Sequence, residues 1–414
     1  MTLARATRSL ENPSLPLTST ALADWLGGSK SRAGTRVTEQ RVFGLPAYYR
    51  AMAIRSGVEA ALPLKVYRKG SKEPVTIRTV LDAPWAGQTP FGFRQTMKMN
   101  EMSWGNAYAR KIRNGADIVV QALPVHPSRV RTVQVDITSD NPEGKLHLVT
   151  DRKGVEHRWT SWDILHVPFM SPDGITGVTA LQAFRESLGT AIAGEDTAGS
   201  LMANGLRPSG MLLSKKKLQD PAVKRLKSQA KQKLAGPDNA GEVLVLDDDV
   251  TWQNVSIPPQ DAQLLQSRQW SVSEIARMVG VMPHMIGDTE RQTSWGTGIE
   301  QMFLGWVQTV LYPSTVNTEQ IYTAGLLPGG WTSGAWYCEH VYEGLLRGDS
   351  AARAAFYAQA IQWGWLTRNE VRRLENREAA EGLDEFLTPS NMTLITIDGK
   401  AVPLTGDPNA QSQG

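Results

Sequence analysis

Cysteine is almost absent from this chain. Cys338 is the only one in 414 residues, which excludes an intramolecular disulfide and a cysteine-rich zinc site and fits a reducing compartment. No apolar run approaches the ~18 residues of a membrane-spanning helix, so no membrane partner is expected. The first 20 residues lack the apolar stretch of a signal peptide. Charge of one sign is also missing. The 44 Lys and Arg against 41 Asp and Glu leave only +3, which excludes a generally basic nucleic-acid surface and makes any DNA contact local. There is no glycine-rich phosphate loop with its lysine, no nucleophile elbow, and no histidine pair at metal-ligand spacing. His126, His147, His157, His166, His284 and His340 fall on separate predicted elements and read as packed or solvated. An enzyme is not expected, and neither is a cofactor or a metal.

What is present is length and pattern. A chain of 414 residues can hold two or three modules with their own cores. Trp outnumbers Tyr and Phe, 13 against 9 and 8, which suits either interfaces or a Trp-rich core. The most informative stretch is 161–213. Asp163–Phe169 alternates like a strand, and Pro172, Asp173 and Gly174 stop it. Thr179 with Gln182 reads as a capping box opening a helix to about residue 204, ended by Asn204 and Gly205. Its stripe is Leu181, Phe184, Leu188, Ile192, Glu195, Gly199 and Met202. Ala191, Ala193, Gly194, Ala198, Gly199 and Ala203 keep it slim, so other backbones can approach closely.

Along the rest of the chain the pattern predicts an α+β organisation. Residues 1–40 have no lasting period and read as a disordered N-terminal arm. From Tyr48 a helix ends before Pro63 and a strand follows. Strands are predicted at 106–113, 119–122, 130–137, 145–150 and 164–169. An insert over 206–258 holds a strand at 211–213, a helix after Asp220 and Pro221, and a hairpin pairing 243–246 with 250–255. A second long helix with the stripe Leu264, Leu265, Arg268, Val272, Ile275, Ala276 and Val279 closes at Gly280. Residues 287–298 read as a polar loop. Thr297 and Glu300 open another helix, which Pro313 should kink or end. A strand at 336–342 precedes a last helical pair, over 349–363 and from the Thr367–Glu370 capping box. The tail after Pro403 reads as disordered.

Two clusters carry possible chemistry. Asp247, Asp248 and Asp249 follow an apolar strand and could hold magnesium, or could form a solvated hairpin turn. Lys215, Lys216, Lys217, Lys224, Arg225 and Lys227 make the insert locally basic, fit for phosphates or an acidic partner, or simply for solvent. The loop at 287–298 reads equally as functional or as an inert connection.

Seven segments in order carry a resemblance to the portal proteins of tailed bacteriophages, of the long-tailed type. They are YYRAMAIRSGVEAALPLKVYR, GNAYARKIRNG, DILHVPFMSPDGITGVTAL, NGLRPSGML, NAGEVLVLDDDVTWQNV, DAQLLQSRQWSVSEIARMVGVMPHMIGD and GWLTRNEVRRLENRE, spanning about residues 40–395. Ala180 and Met282 stand where that family often has proline.

The resemblance implies a portal fold with wing, two-helix stem, αβ clip insert and helical crown. The wing would be 41–175 and part of 282–348, the stem helices 176–205 and 259–281, the clip 206–258, the crown 349–395, and 396–414 a tail. Stem packing would involve Leu188, Ile192, Gly194, Gly199, Leu264, Arg268 and Val272. The tunnel loop facing DNA would be Thr289, Glu290, Arg291, Gln292, Thr293, Ser294 and Trp295, and the clip lysines with Arg225 would dock terminase and adaptor. It also implies a ring of about twelve copies at one capsid vertex of the virion, assembled in the host bacterial cytoplasm. Expected partners are the large terminase subunit, the head-to-tail adaptor, the major capsid and scaffold proteins, and double-stranded DNA passing without sequence specificity. The alternatives are a magnesium-dependent nuclease or packaging enzyme using Asp247–Asp249, and another ring-forming virion protein.

Overall fold

The computed structural model describes residues 30–70, 74–139, 141–151, 153–203, 211–214, 250–253, 261–288, 297–330, 334–342, 344–345, 350–375, 377–387, 393–395 and 401–403. The chain divides into two units after Val341. In the first, local chemistry sets the helix ends. Thr38 accepts a hydrogen bond from Arg41 N and opens α1 (Glu39–Phe43). Pro46 lies in the first turn of α2 (Pro46–Ala61), which stops before Pro63 and leads into β1 (Leu64–Arg68), as expected.

Next comes a helix that the pattern of apolar residues does not predict, α3 (Pro90–Trp104). Thr89 caps it by accepting from Gly92 N, Pro90 sits in its first turn, and Gly105 at φ +69° ends it. The strands that follow are β2 (Asn106–Arg113), β3 (Val119–Val125), β4 (Val130–Gln134), β5 (Lys145–Thr150), β6 (Glu156–Trp159) and β7 (Ile164–Pro168). They form two antiparallel sheets in the orders β3-β2-β7 and β4-β5-β6. The strand expected at 119–122 runs on to Val125, the one expected to reach 137 stops at Gln134, and β6 is an addition.

The helix expected from Thr179 is broken in two, α4 (Ala180–Ala183) and α5 (Arg185–Ala203), at Phe184 with φ −105° and ψ 20°. The capping box at its start does not form. Thr179 Oγ1 instead donates to Trp104 O at 3.1 Å, meeting one of the orphan carbonyls at the end of α3. That end is crowded: a Cβ on Gly177 would stand 1.8 Å from Gly105 O, so only glycine permits this approach.

The arm expected over 1–40 is anchored from Lys30 on. A Cβ on Gly189 of α5 would stand 2.2 Å from Ser31 Oγ, and Arg32 N donates to Glu186 Oε2 at 2.8 Å. At Gly189, which is not among the small residues singled out above, α5 thus admits the side chain of Ser31 rather than another backbone.

In the insert, β8 (Met211–Ser214) pairs antiparallel with β9 (Val250–Gln253). The expected partner of β9, residues 243–246, lies outside the described residues, as do Asp220–Pro237. Then α6 (Asp261–Val279) ends at Gly280, φ +77°, as expected. Beyond a 3-10 turn, α7 (Thr297–Trp306) continues through a π-helical turn, Val307–Leu311, into α8 (Tyr312–Leu326). Pro313 therefore does not end the helix. The π-helical turn lies just ahead of it, and there Arg55 Nη2 donates to Val310 O at 2.9 Å. Strand β10 (Trp336–His340) closes the unit by pairing with β1.

The main core lies among β2, β7, α3, α8 and the β1–β10 pair, where Phe93, Met97, Leu165, Val167, Tyr322 and Leu326 are buried together. Burying one such side chain contributes about 1.5–3 kcal/mol. The second unit contains α9 (Ser350–Gln362), Gly364 at φ +71°, α10 (Arg368–Leu374) and a hairpin of β11 (Thr393–Ile395) with β12 (Ala401–Pro403). The capping box expected at Thr367 and Glu370 is present in both directions.

Candidate functional site

The candidate site is the helix pair α5–α6 and the connection from α6 to α7. The two helices pack on each other, and α2 packs on α6. Their apolar stripes explain this only at one end. Leu188 and Ile192 of α5 are buried, and so are Ile275, Ala276 and Val279 of α6, with Val272 half-buried. Further along α5 the surface opens: Glu195, Asp196, Thr197, Gly199 and Ser200 are exposed. Among the described residues, nothing outside the helix itself stands within 4 Å of a Cβ built on Gly194 or Gly199. Leu264 and Arg268 belong to the first part of α6. On the α7 side, Ile299, Met302 and Leu304 are about two-fifths exposed.

The start of the loop between α6 and α7 is fixed, and α7 is held to the end of α6 at its far end. Ser273 Oγ donates to Asp288 Oδ2 at 2.8 Å, beside Gly287 at φ +94°. Trp306 Nε1 donates to Gly280 O at 2.7 Å and is itself buried. Nothing local in the sequence marks Trp306 as this anchor, because its acceptor lies at the end of another helix. The loop residues Thr289, Glu290, Arg291, Gln292, Thr293, Ser294 and Trp295 lie outside the described residues. So do Lys215, Lys216, Lys217, Lys224, Arg225 and Lys227, and Asp247, Asp248 and Asp249. Among the described residues, no group of three or more His, Cys, Asp or Glu could hold a metal ion.

Behind α6 the unit is held by buried polar groups. Lys98 Nζ reaches Glu59 Oε1 at 2.7 Å, Glu101 Oε2 at 2.5 Å and Ser314 Oγ at 2.8 Å. Three helices, α2, α3 and α8, thus meet at one ammonium. Burial pulls the Lys98 pKa down, but the two carboxylates outweigh it and hold it above its ordinary value; burial pushes Glu101 up. A cavity of about 20 Å³ lies beside the cluster, lined among others by Arg94, Tyr322 and His340. It has room for a single water and is far too small for a substrate.

A second buried network joins the two sheets. His166 Nε2 lies 2.8 Å from Asn106 Oδ1, which also accepts from Gly177 N. Asn106 Nδ2 donates to Gly177 O and Trp104 O, fixing the amide, so His166 carries its proton on Nε2. Its ring stacks on Tyr108 at 4.7 Å, and Thr132 Oγ1 links Tyr108 to His147 Nδ1. Burial drives the His147 pKa down to about 4 and that of His166 to about 2. Both are neutral structural residues. Burial likewise pushes the Cys338 thiol up to about 12, leaving no thiolate nucleophile.

Comparisons agree with this architecture. The family model described as phage portal protein matches residues 46–376. The portal protein of Enterobacteria phage HK97 is 30% identical over 87% of this chain and 85% of its own. The probable portal protein of Streptomyces phage phiC31 is 27% identical over 88% and 82%. A chain in the neck of an empty gene transfer agent particle, solved with C6 symmetry, shares the fold at TM-score 0.57 and 19% identity, over 88% of this chain and all of that one. A portal protein of the HK97 family from Corynebacterium diphtheriae does so at TM-score 0.53 and 15% identity, over 76% and 99%.

Proposed function

The chain belongs to the phage portal protein family, and from that premise we propose that about twelve copies close into a ring at one capsid vertex, through which double-stranded DNA is packaged and later ejected. The observation that carries the ring is α5. Its first half is covered within the chain, while in its second half Glu195–Thr197, Gly199 and Ser200 are exposed and no described residue stands within 4 Å of a Cβ at Gly194 or Gly199. A neck of a native gene transfer agent particle solved with C12 symmetry has a chain of this fold, which supports the same order here.

In this reading 176–205 and 259–281 are the stem and 206–258 the clip. Lys215–Lys217, Lys224, Arg225 and Lys227 meet terminase during packaging and the head-to-tail adaptor afterwards. Residues 349–395 form the crown, and capsid and scaffold proteins surround the rest. The role is mechanical, with no catalytic step. Each neutralised phosphate strengthens DNA binding, and a ring multiplies every cation by its copy number, so a near-neutral chain suits passage better than capture. Residues 289–295 touch the DNA backbone without reading bases, and the bond from Ser273 to Asp288 fixes the chain where that loop begins.

Light scattering with electron-microscope images of the purified chain tests the ring directly, since a ring of about twelve with a channel wide enough for duplex DNA is expected. Deleting 289–295 should leave rings intact and impair packaging or retention; unchanged packaged DNA would refute the loop's role. A monomer that cleaves DNA with magnesium, and loses that activity in Asp248→Asn, would put the nuclease reading in its place.

A further inference from the structure

The second unit is poorly closed by itself. Among its described residues with assigned burial, only Ala360, Thr367 and Asn369 are buried. Phe356, Trp363, Trp365, Phe386 and Leu387 are all between 43% and 57% exposed. The aromatic groups are organised. Phe356 lies on α9, Trp363 follows directly after it with its N bonded to Gln359 O, and Trp365 meets Phe356 edge-on at 5.2 Å. Trp365 N bonds to Ala360 O, so the turn at Gly364 holds that indole against the helix. Rigid aromatic groups placed this way are what interface centres are made of, and so small a core rarely suffices alone.

Charge identifies the partner. Residues 350–387 hold five arginines and six carboxylates, and Glu378, Glu381, Asp384 and Glu385 are exposed beside exposed Arg373 and Arg377. Exposed carboxylates repel a phosphate backbone, whereas a surface balanced in both signs accepts a second copy of itself. We propose that the aromatic face of α9, with Trp365, docks onto a neighbouring copy of this chain, so that the second unit is completed only by assembly. This rests on the ring reading and adds to it a specific contact.

The test uses the full chain and two variants, Gln359→Arg, which puts a charge at an exposed position on this face, and Phe356→Ser with Trp365→Ser. Ring fraction is read by light scattering, and cleavage at Arg372, Arg373 and Arg377 by brief trypsin digestion. Expected are wild-type rings cleaved at least about tenfold more slowly than wild-type monomer, and variants that lose rings or form rings cleaved as fast as monomer. Variant rings with wild-type yield and protection would overturn the contact while leaving the ring standing. Equal protection in wild-type monomer and ring would also overturn it, because the face would then be covered by its own chain. A wild type that never leaves the monomer overturns the ring reading itself.

Discussion

The centre of the first unit and the helices of the second differ in how they treat polar and aromatic groups. Around Lys98, three partners from three helices are buried within one chain, and the aromatic rings of Phe93 and Tyr322 lie in the same interior. Among the described residues of the second unit with assigned burial, three are buried and five large apolar side chains are exposed. A chain that can bury an ammonium with two carboxylates in one place has not simply run short of packing in another. The difference teaches that its stability is divided between what the monomer closes and what assembly closes.

The largest effect should come from breaking the self-sufficient centre. Glu59→Gln leaves Lys98 with one carboxylate and removes the ion-pair partner of Arg55, which stands 3.6 Å from Glu59 Oε2. Removing one partner of a buried pair costs about 3–5 kcal/mol, so the urea midpoint of the first unit should fall sharply. A change under ~1 kcal/mol would mean that the cluster is no keystone. Cleavage in the second unit should hardly respond, if the two regions are independent.

A smaller effect, confined to the same unit, is expected from acid. His147 and His166 have folded pKa values below the ordinary 6.5, so the unfolded chain takes up protons first as pH falls. Their stabilisation is complete above about 6.5 and is lost progressively toward about 4 for His147 and lower for His166. At pH 5.5 each costs about 1.4 kcal/mol, roughly 3 together. Urea titrations at pH 7.5 and 5.5 measure this, and His147→Gln should remove about half of the slope. All six histidines precede residue 342, so the second unit lacks this response, and a matching shift there would break the comparison.

How much of this was legible in the sequence depends on where each group finds its partner. Local signals held: β5 and the Thr367–Glu370 box were readable because partners lie within one strand or one turn. Helix α3 was hidden even though Thr89, Pro90 and Gly105 mark its ends, because it buries Lys98, Asn100 and Glu101, residues that a period search counts as solvent-facing. Of the kink or end expected at Pro313, the end does not occur, because the chain runs from α7 into α8 through the π-helical turn Val307–Leu311, where Arg55, 255 residues before Val310, donates to Val310 O. Thr179 had the residues for a capping box, yet the end of α3 offered Trp104 O instead. Of the candidate site, the stripe through Leu188 and Ile192 was legible, while the anchors Ser273–Asp288 and Trp306–Gly280 join elements that only the tertiary fold brings together.

The smallest effect sharpens the comparison most, because it acts on the open side alone. In α10, Thr367 Oγ1 accepts from Glu370 N at 3.1 Å, and Glu370 Oε2 accepts from Thr367 N at 2.7 Å. Thr367→Ala removes the first bond and loosens the second, at a cost of about 1 kcal/mol. With so little else buried among that unit's described residues, the loss should appear as local opening: trypsin should reach Arg372 and Arg373 about fivefold faster in the monomer, while the urea midpoint of the first unit stays put. In assembled rings a neighbour seated on the aromatic face supplies contacts that the box no longer provides, so the acceleration should shrink. An equal acceleration in ring and monomer would show that the second unit stands on its own bonds after all, and the division drawn between the two regions would disappear.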